Sequence, residues 1–296
     1  MMIDPLSIFL MLLSASTPIL FAALGELVVE RAGVLNLGVE GMMITGALAG
    51  FAAAYVTGNP FIGFAAAALA GAVVSLLFGV VTQYLLANQV ASGLALTLFG
   101  LGLAAMFGRS YEGVKAPSMV AGPLGLNWMI WVGLALVPLI WWFLSRSRAG
   151  LILRAVGENH EAAHGLGYPV RAVRMAAIAF GGAMAGTGGA FISIATVLQW
   201  TEGMTAGAGW IALAIVVFSG WTPLGVLAGA WLFGGVTVLQ LRLQAAGVPV
   251  PVQLLSMAPY LATIIVLVLI SARQKFNRRA GGGAPGSLGQ NFHALR

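Results

Sequence analysis

Apolar runs follow one another from Leu6 to Ser271, and one polar stretch of 30 residues, Ser145–Arg174, interrupts them. A membrane-spanning helix needs about 20 consecutive apolar residues. The pattern reads as nine spans, the seventh of them short: Leu6–Val29, Val34–Tyr55, Phe61–Leu86, Val90–Phe107, Trp128–Leu144, Met175–Leu198, Gly207–Phe218, Leu224–Leu241 and Leu254–Ser271. Only 7% of the residues are charged and 60% are hydrophobic, against about 25% charged in a soluble domain. The expected fold class is therefore all-α, a polytopic membrane helix bundle of about nine helices. A single transmembrane domain, 1–272, would leave a basic, Gly-rich and disordered tail, 273–296. The N-terminus lacks a basic region ahead of its first apolar run, so that run reads as a retained span rather than a signal peptide. Cys is absent, which excludes a disulfide framework and thiol chemistry.

Nine crossings sort the charges. Arg31, Arg146, Arg148, Arg154, Arg171, Arg174, Arg273, Lys275, Arg278, Arg279 and Arg296 fall on one side, and only Arg109, Lys115 and Arg242 on the other. Basic loops stay in the cytoplasm, which places the N-terminus outside and the tail inside. The net charge of +6 is then a topology signal and not a nucleic-acid footprint. Trp128, Trp131, Trp141 and Trp142 sit where interfacial aromatics belong.

Some polar residues interrupt the apolar pattern. Glu26, Asn36 and Glu40 lie in or beside spans, and carboxylates at membrane depth face a bundle interior or a water-filled path. Asn36 and Glu40 are one helical turn apart. They are candidates for a solute path, with Asn88 and Gln89, or for a structural network with Arg31. The run Gly181–Gly189 lacks the Gly-Lys-Ser/Thr ending of a phosphate loop and reads as a small-residue packing face. The chain has no nucleotide-binding motif, so ATP-driven work would need another subunit. A faint echo links Asn59–Gly71 to Thr222–Gly234, five spans apart and hence inverted, as in many transporters.

Within the polar stretch, His160-Glu161-Ala162-Ala163-His164 matches a zinc-protease pattern, two histidines on one helical face with a glutamate as general base. It lies in an Arg-rich loop, and Asp4 is the chain's one aspartate, so the Asp ligand of membrane-embedded zinc proteases has no counterpart. The same residues also read as a short helix from Glu158 to Leu166, ended by Gly165 or Gly167 and kept from continuing by Pro169. A short helix with a small apolar face, between two membrane bundles, suits docking on a partner.

Here a resemblance enters. Arg154–Gly167 resembles the coupling segment of the branched-chain amino acid, ribose and nucleoside permeases of ATP-binding-cassette importers, with a Glu-Ala-Ala-x-x-x-Gly core at Glu161–Gly167. His160 and His164 depart from that pattern, where Pro and an Arg-like residue are expected. Gly25–Met43 is similar to the nucleoside and simple-sugar branch, and Gly207–Gly225 to the family's segment after the coupling loop. The resemblance implies a permease subunit forming half of a solute path, for nucleosides first and simple sugars second. It implies a coupling loop at 145–174 in which Glu158, Asn159, Glu161, Ala162, Ala163 and Gly167 meet an ABC ATPase. It also implies a second paralogous permease chain or a homodimer, a periplasmic or lipid-anchored solute-binding protein, and ATP with Mg on the partner rather than on this chain. The expected location is a bacterial cytoplasmic membrane. A secondary transporter coupled to an ion gradient through Glu40 is the alternative of a different class.

Overall fold

The computed structural model describes residues 5–247, 251, 253–254, 257–262, 264–266, 268 and 283–293. The described residues fold into helices joined by short connections. In order these are α1 (Pro5–Arg31), α2 (Val39–Thr57), α3 (Pro60–Gly79), α4 (Gln89–Gly108), α5 (Trp128–Arg146), α6 (Arg148–Glu158), α7 (His160–Gly165), α8 (Val170–Ala190), α9 (Ala208–Phe218) and α10 (Pro223–Ala245). A short apolar helix, α11 (Met257–Val266), follows. Seven are long and apolar enough to cross a membrane, while α9 and α11 are shorter. Each of the nine expected spans thus contains a helix among the described residues, with α9 short as expected and the ninth span described only in part.

The boundaries follow local chemistry. Asn59, Asn88, Asn127 and Thr222 each cap the helix that follows by accepting a backbone N–H. Pro60 and Pro223 stand in the first turn of α3 and α10, where the missing N–H costs nothing. The two segments of the sequence echo therefore start their helices alike. They pack differently: α3 lies on α2 and α8, and α10 on α1 and α9.

The centre is a seam of small residues. Helix α8 packs against α1, α2 and α3. A Cβ on Gly46 would collide with the backbone of Gly186, one on Gly71 with the carbonyl of Gly182, and one on Gly189 with the carbonyl of Met43. The Gly181–Gly189 run is a packing face, and its glycines bring backbones together where lipid supplies no hydrophobic drive. Around it Phe21, Leu24, Met42, Met43 and Ile178 fill the core. The outer faces of α3, α4 and α5 stay apolar at Leu69, Leu98 and Trp142, the belt expected of a lipid-facing surface.

Three of the described arginines are held within the chain. At one end Arg31 donates to the carbonyl of Trp221 (3.0 and 2.7 Å) and Arg174 donates to that of Ala32 (3.2 Å). At the other, Arg242 reaches Sδ of Met11 (3.5 Å), and the 109–127 connection pairs with residues 198–200 through Glu112–Trp200 and Lys115–Gln199. Trp200, expected in a plain loop, is buried against Gly108. The tail also differs from its expectation over 283–293. Its glycines suggest disorder, yet Ser287 and Phe292 are buried. The remainder of 273–296 lies outside the described residues.

Candidate functional site

Two polar assemblies carry the candidate residues, one inside the bundle and one at its Arg-rich end. The inner one starts from Glu40, which stands in the first turn of α2 and is almost fully buried. Its carboxylate accepts the hydroxyl of Thr205 and the backbone N–H groups of Gly207 (2.9 Å) and Gly209 (2.8 Å). Those amides open α9. Glu40 is therefore a cap supplied from another helix, placing negative charge on the positive end of a short helix that begins inside the bundle. Any side chain at Gly209 would strike the backbone of Glu40, which is why the approach is this close.

Asn36 is not on the face of α2. It lies in the irregular turn between α1 and α2, where its side-chain oxygen accepts Gly38 N–H (2.9 Å) and its own N–H reaches Glu26 (3.3 Å). Gln89 accepts Leu35 N–H (2.9 Å), and Thr97 donates to the Leu37 carbonyl (3.0 Å). Buried non-helical backbone must be satisfied from within the protein, and these four side chains do that. The one-turn pairing of Asn36 with Glu40 does not form, nor does a network of the two with Arg31, because α2 starts only at Val39 and Arg31 turns to Trp221. Trp221 in turn donates its indole N–H to Glu30. Asn88 is exposed and caps α4 through Ala91 N–H (3.0 Å). Of the four proposed path residues, Asn36, Glu40 and Gln89 are buried and engaged within the chain.

The second assembly is the segment expected from the sequence to couple to an ATPase. Ser147 caps α6 by accepting Gly150 N–H (2.9 Å), and Asn159 caps α7 by accepting Ala162 N–H (2.9 Å). Gly167 ends the turn with φ +85°, and its N–H bonds the His164 carbonyl (2.8 Å). Helix α7 therefore has two faces. His160 and Ala163 are buried, and Ala163 clusters with Val156, Val170 and Phe292. Glu158, Asn159, Glu161, Ala162, Leu166 and Gly167 are exposed, with Leu166 at 77%. Of the six residues named from sequence for coupling, five are exposed and Ala163 is buried.

The histidines of the zinc-like string are engaged elsewhere. Nδ1 of His160 lies 3.2 Å from Nη2 of Arg174, and the rings of His160 and His164 meet Phe292 edge-on at 5.5 and 5.1 Å. Burial pushes the His160 imidazole below its usual range, and the charge of Arg174 pushes the same way, against a smaller pull from Glu161. A neutral imidazole accepting from a guanidinium suits a structural joint. Arg174 is fully buried and is also held by the carbonyls of Ala32 (3.2 Å) and Gln290 (2.9 Å) and by Gln83 (3.4 Å). Gln83 reaches it from a π-helical turn, Val80–Tyr84, that extends α3.

The family described as "Branched-chain amino acid transport system / permease component" matches residues 8–272. This chain belongs to that family. The permease is 39% identical to the putative glucose ABC transporter permease protein TsgC13 of Haloferax volcanii, over 94% of this chain and 95% of that one. It is 35% identical to the nucleoside ABC transporter permease protein NupC of Lactococcus lactis, over 86% of this chain and 89% of that one. It is 30% identical to the guanosine ABC transporter permease protein NupQ of Bacillus subtilis, over 85% of this chain and 88% of that one. The permease is thus a multi-pass membrane protein and a transport subunit. Sequence reasoning missed Thr205, Gly207 and Gly209 as the partners of Glu40. The Gly-x-Gly at the start of an apolar helix was the available signal, since closely approached amides need an acceptor. It also missed the packed segment 283–293, whose signal was Phe292 in a stretch otherwise rich in Gly and polar residues.

Proposed function

We propose that this permease forms half of the solute path of an ATP-driven importer and that the solute is a nucleoside. The observation that carries the reading is the two-faced α7, capped by Asn159, stopped at Gly167 and presenting Glu161, Ala162 and Leu166 outward on the Arg-rich end. A short rigid helix with a free apolar-and-acidic face is suited to sit in a partner's groove. The partner is an ABC ATPase subunit, which binds ATP and Mg, so the chemistry belongs to that chain. A second permease chain, paralogous or identical, completes the path, and a periplasmic or lipid-anchored binding protein delivers solute to the opposite face. The Arg-rich end is cytoplasmic by the positive-inside rule. That places the N-terminus outside and the tail inside a cytoplasmic membrane.

The nucleoside reading draws on the relatives named for nucleosides and guanosine. A simple sugar is the second reading, favoured by the relative named for glucose, to which the chain is 39% identical over the aligned length. Both solutes carry a sugar ring, and competition separates them. In proteoliposomes holding the permease and its partners, ATP-driven uptake of a labelled nucleoside should be blocked by unlabelled nucleosides and not by glucose. No uptake of the labelled nucleoside, with ATP-driven uptake of labelled glucose that nucleosides do not block, would assign the sugar. Uptake that follows an ion gradient without ATP would reject the importer reading.

A further inference from the structure

The C-terminal segment 283–293 ties together parts of the molecule that sequence keeps far apart. Ser287 donates its N–H to the carbonyl of Gly157 at the end of α6 (2.9 Å), and its Oγ accepts the N–H of His160 that opens α7 (3.2 Å). Gly289 N–H reaches the carbonyl of Gly33 in the α1–α2 turn (3.3 Å). The Gln290 carbonyl accepts from Arg174 (2.9 Å) and from Gln89 (3.3 Å). The Asn291 amide donates to the carbonyls of Leu86 (2.6 Å) and Ala87 (3.2 Å), and its oxygen accepts from Gln89 (3.2 Å). Phe292 is 4% exposed and fills the space between the two histidines of α7, Val156 and Val170.

We infer that segment 283–293 is a brace that fixes the α6–α7 unit to the bundle and links it mechanically to the α1–α2 turn, with Phe292, Ser287 and Asn291 as positioning residues for coupling. The coupling part of this inference rests on the proposed function. The side it occupies decides between a brace and a plug. The segment covers the face of α7 that holds His160 and Ala163, and it leaves Glu161, Ala162 and Leu166 exposed. A plug would cover the outward face. The link inward is Gln89. Its amide nitrogen binds the tail, and its amide oxygen holds Leu35 N–H, next to Asn36 and Glu26. A displacement of α7 therefore bears, through Phe292 and Asn291, on the turn that contains the buried Asn36. The brace also gives His160 and His164 a purpose, since they form the edges against which Phe292 packs.

Hydrogen exchange and transport test the brace together on the full chain, Phe292→Ala, Phe292→Leu and a chain ending at residue 282. Truncating a buried Phe costs several kcal/mol, so amides across 148–170 should exchange at least about tenfold faster in Phe292→Ala and in the shortened chain. Amides of α2 and of α8 beyond Gly181 should keep their rates. ATP-driven uptake should fall in parallel, Phe292→Leu should restore most of both, and a peptide of residues 283–296 added to the shortened chain should slow exchange again. Unchanged exchange in Phe292→Ala and the shortened chain overturns the brace. Faster exchange with undiminished uptake overturns its role in coupling, and lost uptake with unchanged exchange makes the tail a direct partner contact instead. If the shortened chain does not fold, the two Phe292 variants decide alone. Exchange that behaves as stated in a chain showing no ATP-driven uptake even as wild type would leave the brace standing and reject the importer reading.

Discussion

At Gly167 one backbone angle sets where the turn after α7 ends, and the proposed coupling role makes that angle testable. With φ +85°, a non-glycine residue there is strained by about 1–2 kcal/mol, although nothing obstructs its Cβ. Gly165 is helical and equally unobstructed. Gly167→Ala should therefore weaken capture of the ATPase in pull-down, while Gly165→Ala should leave it unchanged or slightly improved. Glu40 makes a sharper test of its own assignment. Glu40→Ala strips three donors of their acceptor, and each buried donor left unpaired costs about 1–3 kcal/mol. The purified protein should lose several degrees of thermal stability. A variant with full stability and altered ion dependence of uptake would instead make Glu40 a coupling carboxylate. His160 sets a pH dependence. A free histidine protonates near 6.5, and His160, desolvated and facing Arg174, protonates lower. As pH falls through the window between those values, the unfolded chain takes up a proton that the folded chain refuses, so stability present above about pH 6.5 is lost. The thermal midpoint of the wild type should fall more between pH 7.5 and 5.5 than that of His160→Gln.

Helix α8 lives or fails by its glycines. Gly186 faces Ala67 and Gly46 at backbone contact, so no flexible neighbour can yield. Gly186→Leu should abolish assembly of the bundle, seen as loss of the monodisperse peak in detergent, whereas Leu98→Ala on the exposed face of α4 should not. This seam was readable in the sequence, because small residues repeated along an apolar run have few other uses in a membrane. The nine helical segments were readable for the same reason. What the pattern could not give was depth. The residues of α9 are apolar like those of any span, yet the helix begins inside the bundle, and only the pairing of Gly207 and Gly209 with a carboxylate 167 and 169 residues away in the chain reveals it. Likewise, helical periodicity put Asn36 and Glu40 on one face, but the turn between α1 and α2 is irregular and separates them.

Across the whole molecule, the Arg-rich end joins what sequence order scatters: the close of α1, the α6–α7 unit, the start of α8 and segment 283–293. The free face of α7 was legible from a short motif, since a cap, two alanines and a glycine stop describe a helix that needs no further context. Its buried face was not legible. It depends on Phe292, and composition marks that part of the chain as Gly-rich and polar. In the proposed function the free face of α7 transmits ATP hydrolysis to the solute path. Replacing Glu161 with Arg and Leu166 with Asp alters only exposed side chains, so the fold should remain intact. The decisive measurement is ATP-driven uptake of a labelled nucleoside by this double variant, reconstituted with its partners beside the wild type. The double variant should be monodisperse, should no longer capture the ATPase and should lose most of its uptake. Wild-type uptake with normal ATPase capture would contradict the proposed coupling role.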